Sequence, residues 1–150
     1  MLLDNFSIQS YQPFHREQLL MVWERSVRAT HQFLDEDDFE KIKLLVQGID
    51  FTQLEVFCLM GGTKVYGFLG VAERKLEMLF LDPDLFGNGY GKQMLDFAIY
   101  RLRCETVDVN EQNESARRFY EKAGFVVIGR SETDGEGMPY PILNMQFKEL

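Results

Sequence analysis

The stretch LEMLFLDPDLFGNGYGKQML, from Leu76 to Leu95, decides how this chain is read. An apolar run of strand character meets Pro83, passes through Gly87, Gly89 and Gly91, and enters an amphipathic helix. Proline cannot donate to a sheet ladder, so the strand stops there. The glycines let the backbone bend tightly and turn its amides outward at a helix N-terminus. Such an end carries unpaired N–H donors and a partial positive charge, which suit a phosphate or pyrophosphate. The expectation is a phosphate-bearing cofactor held on main-chain amides.

Two common phosphate motifs fail on spacing. In a P-loop, Phe86 would have to be glycine, and Gly91-Lys92 would have to be followed by Ser or Thr where Gln93 stands. A dinucleotide fingerprint starting at Gly87 would place its third glycine at Lys92, and it belongs in a first βα turn. A second stretch, VDVNEQNESARRFYEKAGF from Val107 to Phe125, reads as strand, polar turn, short helix and glycine stop. Asn113 is placed to cap the helix; Ala116, Phe119, Tyr120 and Ala123 share one face; Gly124 suits a left-handed C-terminus.

Together the two stretches resemble the GNAT superfamily of acyl-coenzyme A-dependent N-acyltransferases. The matching features are Leu79-x-Leu81-x-Pro83, then Gly-x-Gly-x-Gly, then Asn113-x-x-Ala116-x-x-Phe119-Tyr120-x-x-x-Gly124-Phe125. With the residues between them, they span about a third of the chain. The resemblance implies an α+β fold: a mixed, mostly antiparallel central sheet with a splayed strand pair and helices on both faces. It implies acetyl-CoA as acyl donor and no metal. One departure stands at Phe86, where the family usually carries Gln or Arg. A phenylalanine cannot orient phosphate oxygens, which leaves backbone amides and Lys92 to hold the pyrophosphate.

The resemblance also implies roles. Main-chain groups of Leu79, Phe80 and Leu81 would pair with the pantetheine arm, and one N–H, at Leu81 or a neighbour, would stabilise the thioester oxyanion. Phe86, Gly87, Asn88, Gly89, Tyr90, Gly91 and Lys92 form the pyrophosphate loop. Asn113, Ala116, Phe119, Tyr120 and Lys122 complete the cofactor side, and Tyr120 is the expected general acid for the departing thiolate. Read as residues alone, Tyr120 is equally a core aromatic and Asn113 merely a cap. Glu77 stands four residues before Leu81, where some family members carry a glutamate base. Strand alternation would put it on one face with Leu79 and Leu81. Glu73 competes for that role. The resemblance implies that the segment from Trp23 to Leu34 roofs the acceptor site; His31, Phe33, Glu77 and Tyr140 are the candidate acceptor contacts, with His31 an alternate base.

Composition narrows the partners. At 150 residues and 45% hydrophobic content, the chain is expected to form one N-acetyltransferase domain spanning residues 1–150. A net charge of −8 argues against nucleic acid or an anionic membrane as partner. A polyanionic cofactor then needs a local basic strip, for which Lys92, Arg117, Arg118 and Lys122 are candidates. Cys58 and Cys104 lack metal-ligand spacing and read as buried thiols in a reducing cytoplasm, and neither a membrane span nor a basic signal head is visible. The acids of residues 31–60 favour a cationic amine or simply form solvated helix surface.

Around the two motifs, strands are expected at Phe6–Tyr11, Leu54–Met60, Lys64–Ala72, Lys75–Leu81, Thr106–Val109, Val126–Glu132 and Tyr140–Phe147. Helices are expected at Phe14–Thr30, from Asp35 to about Gln47, at Gly89–Arg103, and after Asn113. Gly61-Gly62 signals a hairpin. The apolar last strand suggests either a monomer or a homodimer built on it. The favoured function is acetyl transfer to a primary amine of a small molecule or peptide, by direct attack in a ternary complex. The alternative is a non-catalytic acyl-CoA sensor, which Phe86 keeps in view.

Overall fold

The computed structural model describes residues 5–148. Strand β1 (Phe6–Ser10) leads through a 3₁₀ turn at Pro13–His15 into helix α1 (Arg16–Thr30) and then α2 (Glu36–Gln47). Strands β2 (Glu55–Gly61), β3 (Lys64–Ala72) and β4 (Lys75–Leu81) follow, then α3 (Tyr90–Asp96), β5 (Thr106–Asn110), α4 (Glu114–Ala123), β6 (Phe125–Ser131) and β7 (Ile142–Phe147). Every expected element is present with ends shifted by a few residues. Helix α1 starts late because Pro13 and Phe14 form the separate 3₁₀ turn. The helix predicted over Gly89–Arg103 divides into α3 and a π-helical turn at Phe97–Arg101.

Local chemistry sets the boundaries. Asp35 caps α2 by accepting from the Asp38 N–H at 2.8 Å, and Asn113 caps α4 by accepting from the Ala116 N–H at 3.1 Å. Each cap is worth about 1 kcal/mol. Gly124 ends α4 at φ +108°, a conformation that L side chains resist, and an added Cβ would lie 3.1 Å from the Phe147 ring. Between β3 and β4 the turn residues Glu73 and Arg74 both have positive φ, 50° and 64°, without the relief of glycine. Arg74 is anchored there: its carbonyl accepts from the Glu105 N–H at 2.6 Å, and its guanidinium meets the Glu105 carboxylate at 2.8 Å.

That anchor places the start of β5 beside the start of β4. The seven strands run in the order β1-β2-β3-β4-β5-β7-β6. All neighbours are antiparallel except β4 and β5, which pair in parallel only at Lys75–Thr106 and Leu76–Val107. Beyond Leu76 the two strands part, opening the sheet at its centre. Helices cover both faces. Leu19, Val22, Trp23 and Val27 of α1 pack with Phe39 of α2 on one face, against Val56, Cys58, Val65 and Phe68. Tyr90, Met94 and Leu95 of α3 pack with Tyr120 of α4 on the other, against Leu69, Leu76, Val107 and Met145. The last strand, β7, is interior, between β5 and β6, so it is not free to pair with a second copy. The edge strands of the sheet are β1 and β6.

Candidate active site

The parting of β4 and β5 decides which main-chain groups are free. The Asp82 N–H donates to the Tyr66 carbonyl on β3 at 2.7 Å. In an antiparallel pair, alternate residues direct their N–H and C=O to the same neighbour. Phe80 therefore faces β3 with Asp82, whereas Leu79 and Leu81 turn their main-chain groups toward the side that β5 has left. A cleft of about 600 Å³ occupies that side. Leu79, Phe80, Leu81, Phe86, Gly87, Gly89, Gly91 and Lys92 line it from β4 and the loop, and Asn113, Ala116, Phe119 and Tyr120 line it from α4. These residues were all expected from sequence.

The loop works by main chain. Gly87 and Gly89 have φ of +79° and +85°, and nothing lies within 4 Å of a Cβ added to either. Conformation, not crowding, is what demands glycine there. Phe86 is about two-fifths exposed at the cleft mouth, presenting a ring and no polar group to the loop, as expected from the departure at this position. An elongated acyl-CoA fits this arrangement: unpartnered strand amides for the pantetheine amides, a glycine-bent helix start for the pyrophosphate, and a mainly apolar wall.

Other expected residues lie elsewhere. Tyr90 is fully buried under α3, its ring 4.8 Å from that of Phe6, and only its backbone belongs to the loop. Its hydroxyl has no hydrogen-bond partner among the described residues. Asn88 turns back, donating to the Phe86 carbonyl at 3.1 Å. Lys122 is exposed on α4 and absent from the cleft wall. The expected basic strip is largely neutralised along its own helices: Lys92 pairs with Asp96 at 2.8 Å, Arg117 with Glu121 at 3.4 Å and Arg118 with Glu114 at 3.2 Å.

Glu77 does not share a face with Leu79 and Leu81. The register places Met78 opposite Gly70 and Leu76 opposite Val71, so β4 carries one extra residue and the alternation breaks there. Glu77 lies on the side of Lys75, 3.9 Å from its ammonium, exposed and outside the cleft wall. Phe33 and Tyr140 also lie outside that wall but continue from it. His31 lines the cleft, its ring 5.3 Å from Phe33, and Phe33 lies 6.1 Å from Tyr140. The Tyr140 hydroxyl donates to Asp38, an interaction that raises the phenol's pKa. The resulting row runs from the cleft to α2.

Several cleft residues were not named one by one from the sequence, although Ser26 and Thr30 fall in the Trp23–Leu34 segment expected over the acceptor. Ser26 and Thr30 reach the cleft from α1, Met94 from α3 and Ser115 from α4. Met94 and Ser115 stand inside the two quoted stretches at positions that no motif fixes, and packing of α1 on the sheet sets which of its side chains reach the cleft. Arg25 was missed too: it meets the buried Asp82 carboxylate at 2.9 Å and Asp84 at 3.4 Å, tying α1 to the turn before the glycine loop. Burial raises the Tyr120 pKa well above the ordinary phenol value, helped by the nearby Cys104, so the hydroxyl stays protonated across the neutral range. His31 is lowered to about 4 by burial. Among the described residues no group of three or more His, Cys, Asp or Glu could hold a metal ion.

A central sheet that opens between parallel strands, a glycine loop at one end and a tyrosine helix on the far wall mark the class of acyl-CoA-dependent acyltransferases. The acetyltransferase (GNAT) domain family matches residues 27–148, and the chain belongs to it. The peptidyl-lysine N-acetyltransferase YjaB of Escherichia coli strain K12 is 37% identical over 131 residues, covering 87% of this chain and 89% of that protein. The solution structure of apo-form YjaB from Escherichia coli matches with a TM-score of 0.87 and 35% identity, covering 97% of this chain and 99% of that one. The crystal structure of the PaiA N-acetyltransferase from Thermoplasma acidophilum in complex with coenzyme A shares the fold, with a TM-score of 0.72 and 22% identity over 96% of this chain and 99% of that one. The chain is thus an acetyl-CoA-dependent N-acetyltransferase, and acetyl-CoA is its acyl donor. No described helix is long and apolar enough to cross a membrane.

Proposed function

We propose that this enzyme acetylates the side-chain amine of lysine in a peptide or protein. The relatives named as peptidyl-lysine N-acetyltransferases support that acceptor. So does the chemistry beside the cleft, where aromatic rings at Phe33 and Tyr140 meet the acidic start of α2 at Asp35, Glu36, Asp37 and Asp38. A lysine side chain offers an apolar stem and a cationic head that such a surface complements.

The observation that carries the reading is the unpartnered main chain of Leu79 and Leu81 across the cleft from Tyr120. Bound acetyl-CoA supplies the acetyl group as a thioester. Leu79 and Leu81 hold the donor strand-fashion, and one of their N–H groups stabilises negative charge on the carbonyl oxygen. Tyr120, kept protonated by burial, donates to the sulfur as it leaves. Attack is direct within one ternary complex, so no residue carries the acetyl group.

The thiols fit a reducing cytoplasm. Cys58 and Cys104 are free and buried, with pKa values pushed up by burial to about 12 and about 11, which leaves them unreactive. The test is to incubate the protein with acetyl-CoA and, separately, lysine peptides, a polyamine, an amino sugar and free amino acids, following free thiol and mapping products by mass spectrometry. Acetyl-lysine in peptides is the expected product. Thiol release with small amines alone would refute the acceptor assignment, and tight acetyl-CoA binding with no release for any amine would mark a sensor instead.

A further inference from the structure

We propose that His31 is the group that takes the proton from the attacking amine, through its Nε2 atom, with the tautomer set by Thr30. This inference rests on the acetyl-transfer reading above and adds the group that reading lacks. The Thr30 hydroxyl lies 2.8 Å from the Ser26 carbonyl and 2.8 Å from His31 Nδ1. A hydroxyl has a single proton, and a carbonyl oxygen only accepts. The short approach to Ser26 is therefore made by the Thr30 O–H. The Thr30 oxygen must then accept from His31, which puts the imidazole proton on Nδ1. Nε2 is left with its lone pair free. His31, Thr30 and Ser26 all line the cleft with Tyr120.

The surroundings keep the ring neutral. Tyr120 and Lys92 share the cleft wall, the adjoining groove beside Thr30 carries Glu111, Glu114 and Arg118, and Tyr140 with Asp38 stands beyond Phe33. None of these charges sets the state of His31; burial alone lowers it to about 4, so the ring is an acceptor throughout the neutral range. In the step, an amine that has lost its ammonium proton to solvent attacks the thioester carbon. As the C–N bond forms, the nitrogen becomes acidic and passes a proton to Nε2. The C–S bond then breaks, and the thiolate takes its proton from Tyr120. Solvent removes the imidazolium proton and returns one to the tyrosinate, so the protein ends as it began.

The two histidines of this chain make the tautomer directly testable. His15 Nδ1 accepts from the Gln12 N–H at 3.0 Å, which puts the His15 proton on Nε2. Long-range ¹⁵N–¹H correlation spectra at pH 7 should thus show one ring of each tautomer, with His31 the Nδ1–H form. A His31 spectrum of the Nε2–H form overturns the proposal whether or not an acceptor has been found. In turnover, His31→Gln should lower kcat about 100-fold at neutral pH, with coenzyme A affinity by calorimetry unchanged. The deficit should shrink as pH rises and hydroxide takes over, and added imidazole should restore part of the rate to His31→Ala. Thr30→Val should lower kcat less than His31→Gln. A His31→Gln enzyme within twofold of wild type, or a deficit that neither pH nor imidazole relieves, overturns it. Wild-type turnover with a small amine and not with lysine peptides would defeat the acceptor assignment alone, and the His31 measurements would run with that amine.

Discussion

Tyr120 shows how much a single residue type can promise before its surroundings are known. Its ring packs edge-on against Phe119 and Phe125 at 5.2 and 5.6 Å, as a core aromatic would, yet the same residue lines the cleft. We predict that Tyr120→Phe keeps the packing and coenzyme A affinity but lowers kcat by about 100-fold, the lower end for loss of a positioned acid. Stopped-flow thiol release at saturating acetyl-CoA measures it. Tyr90 is the reverse case. It was legible only as part of a glycine loop, but its side chain points into the core and its hydroxyl bonds nothing among the described residues. Removing a buried hydroxyl that makes no hydrogen bond to the protein costs no such bond, so Tyr90→Phe should be no less stable than wild type, and up to about 1 kcal/mol more stable. Denaturant titration checks this.

Among the elements, β4 and the turn after it carry the site. Pro83 and the glycines were enough to end the strand and begin the helix, because proline and left-handed φ values act locally. The bulge at Glu77 was not legible: it arises from pairing with β3, and one extra residue reverses the face of everything before it. That is why Glu77 was expected beside Leu79 and is not there. The clamp from Arg25 to Asp82 was equally hidden, since it joins residues far apart in the chain. Arg25→Met should leave the buried Asp82 carboxylate without its cation. We expect a loss of about 2 kcal/mol, below the range for fully buried pairs because Arg25 is about half exposed. A raised KM for acetyl-CoA should accompany it, as the turn feeding the glycine loop loosens. Equilibrium unfolding and steady-state kinetics on the same preparation separate the two effects.

Across the whole molecule, charge and topology act together. On the proposed lysine acceptor, the net charge of −8 and the acidic opening of α2 would draw a cationic substrate toward the cleft. Such attraction is screened as the Debye length falls from about 30 Å at 0.01 M salt to about 3 Å at 1 M. KM for a lysine peptide with basic flanks should therefore rise severalfold with salt, while KM for a neutral-flanked peptide should change little. The basic strip expected for the cofactor is a different matter, because i to i+4 ion pairs quench most of it. On the proposed donor site, main-chain groups of β4 and the glycine loop would carry more of the grip on acetyl-CoA than these paired surface cations.

From sequence alone came the element order, the strand stop at Pro83, the glycine-bent loop, the Asn113 and Gly124 caps and the family they spell. All of these depend on backbone preferences of neighbouring residues. Only the tertiary structure decided that β7 is interior, that Glu77 turns away from Leu79, that Arg25 reaches the buried Asp82, and that the Thr30 hydroxyl sits between the Ser26 carbonyl and His31 Nδ1. Those outcomes depend on which distant surfaces pack together, and hydrogen-bond partners across such a contact have no signature in local spacing.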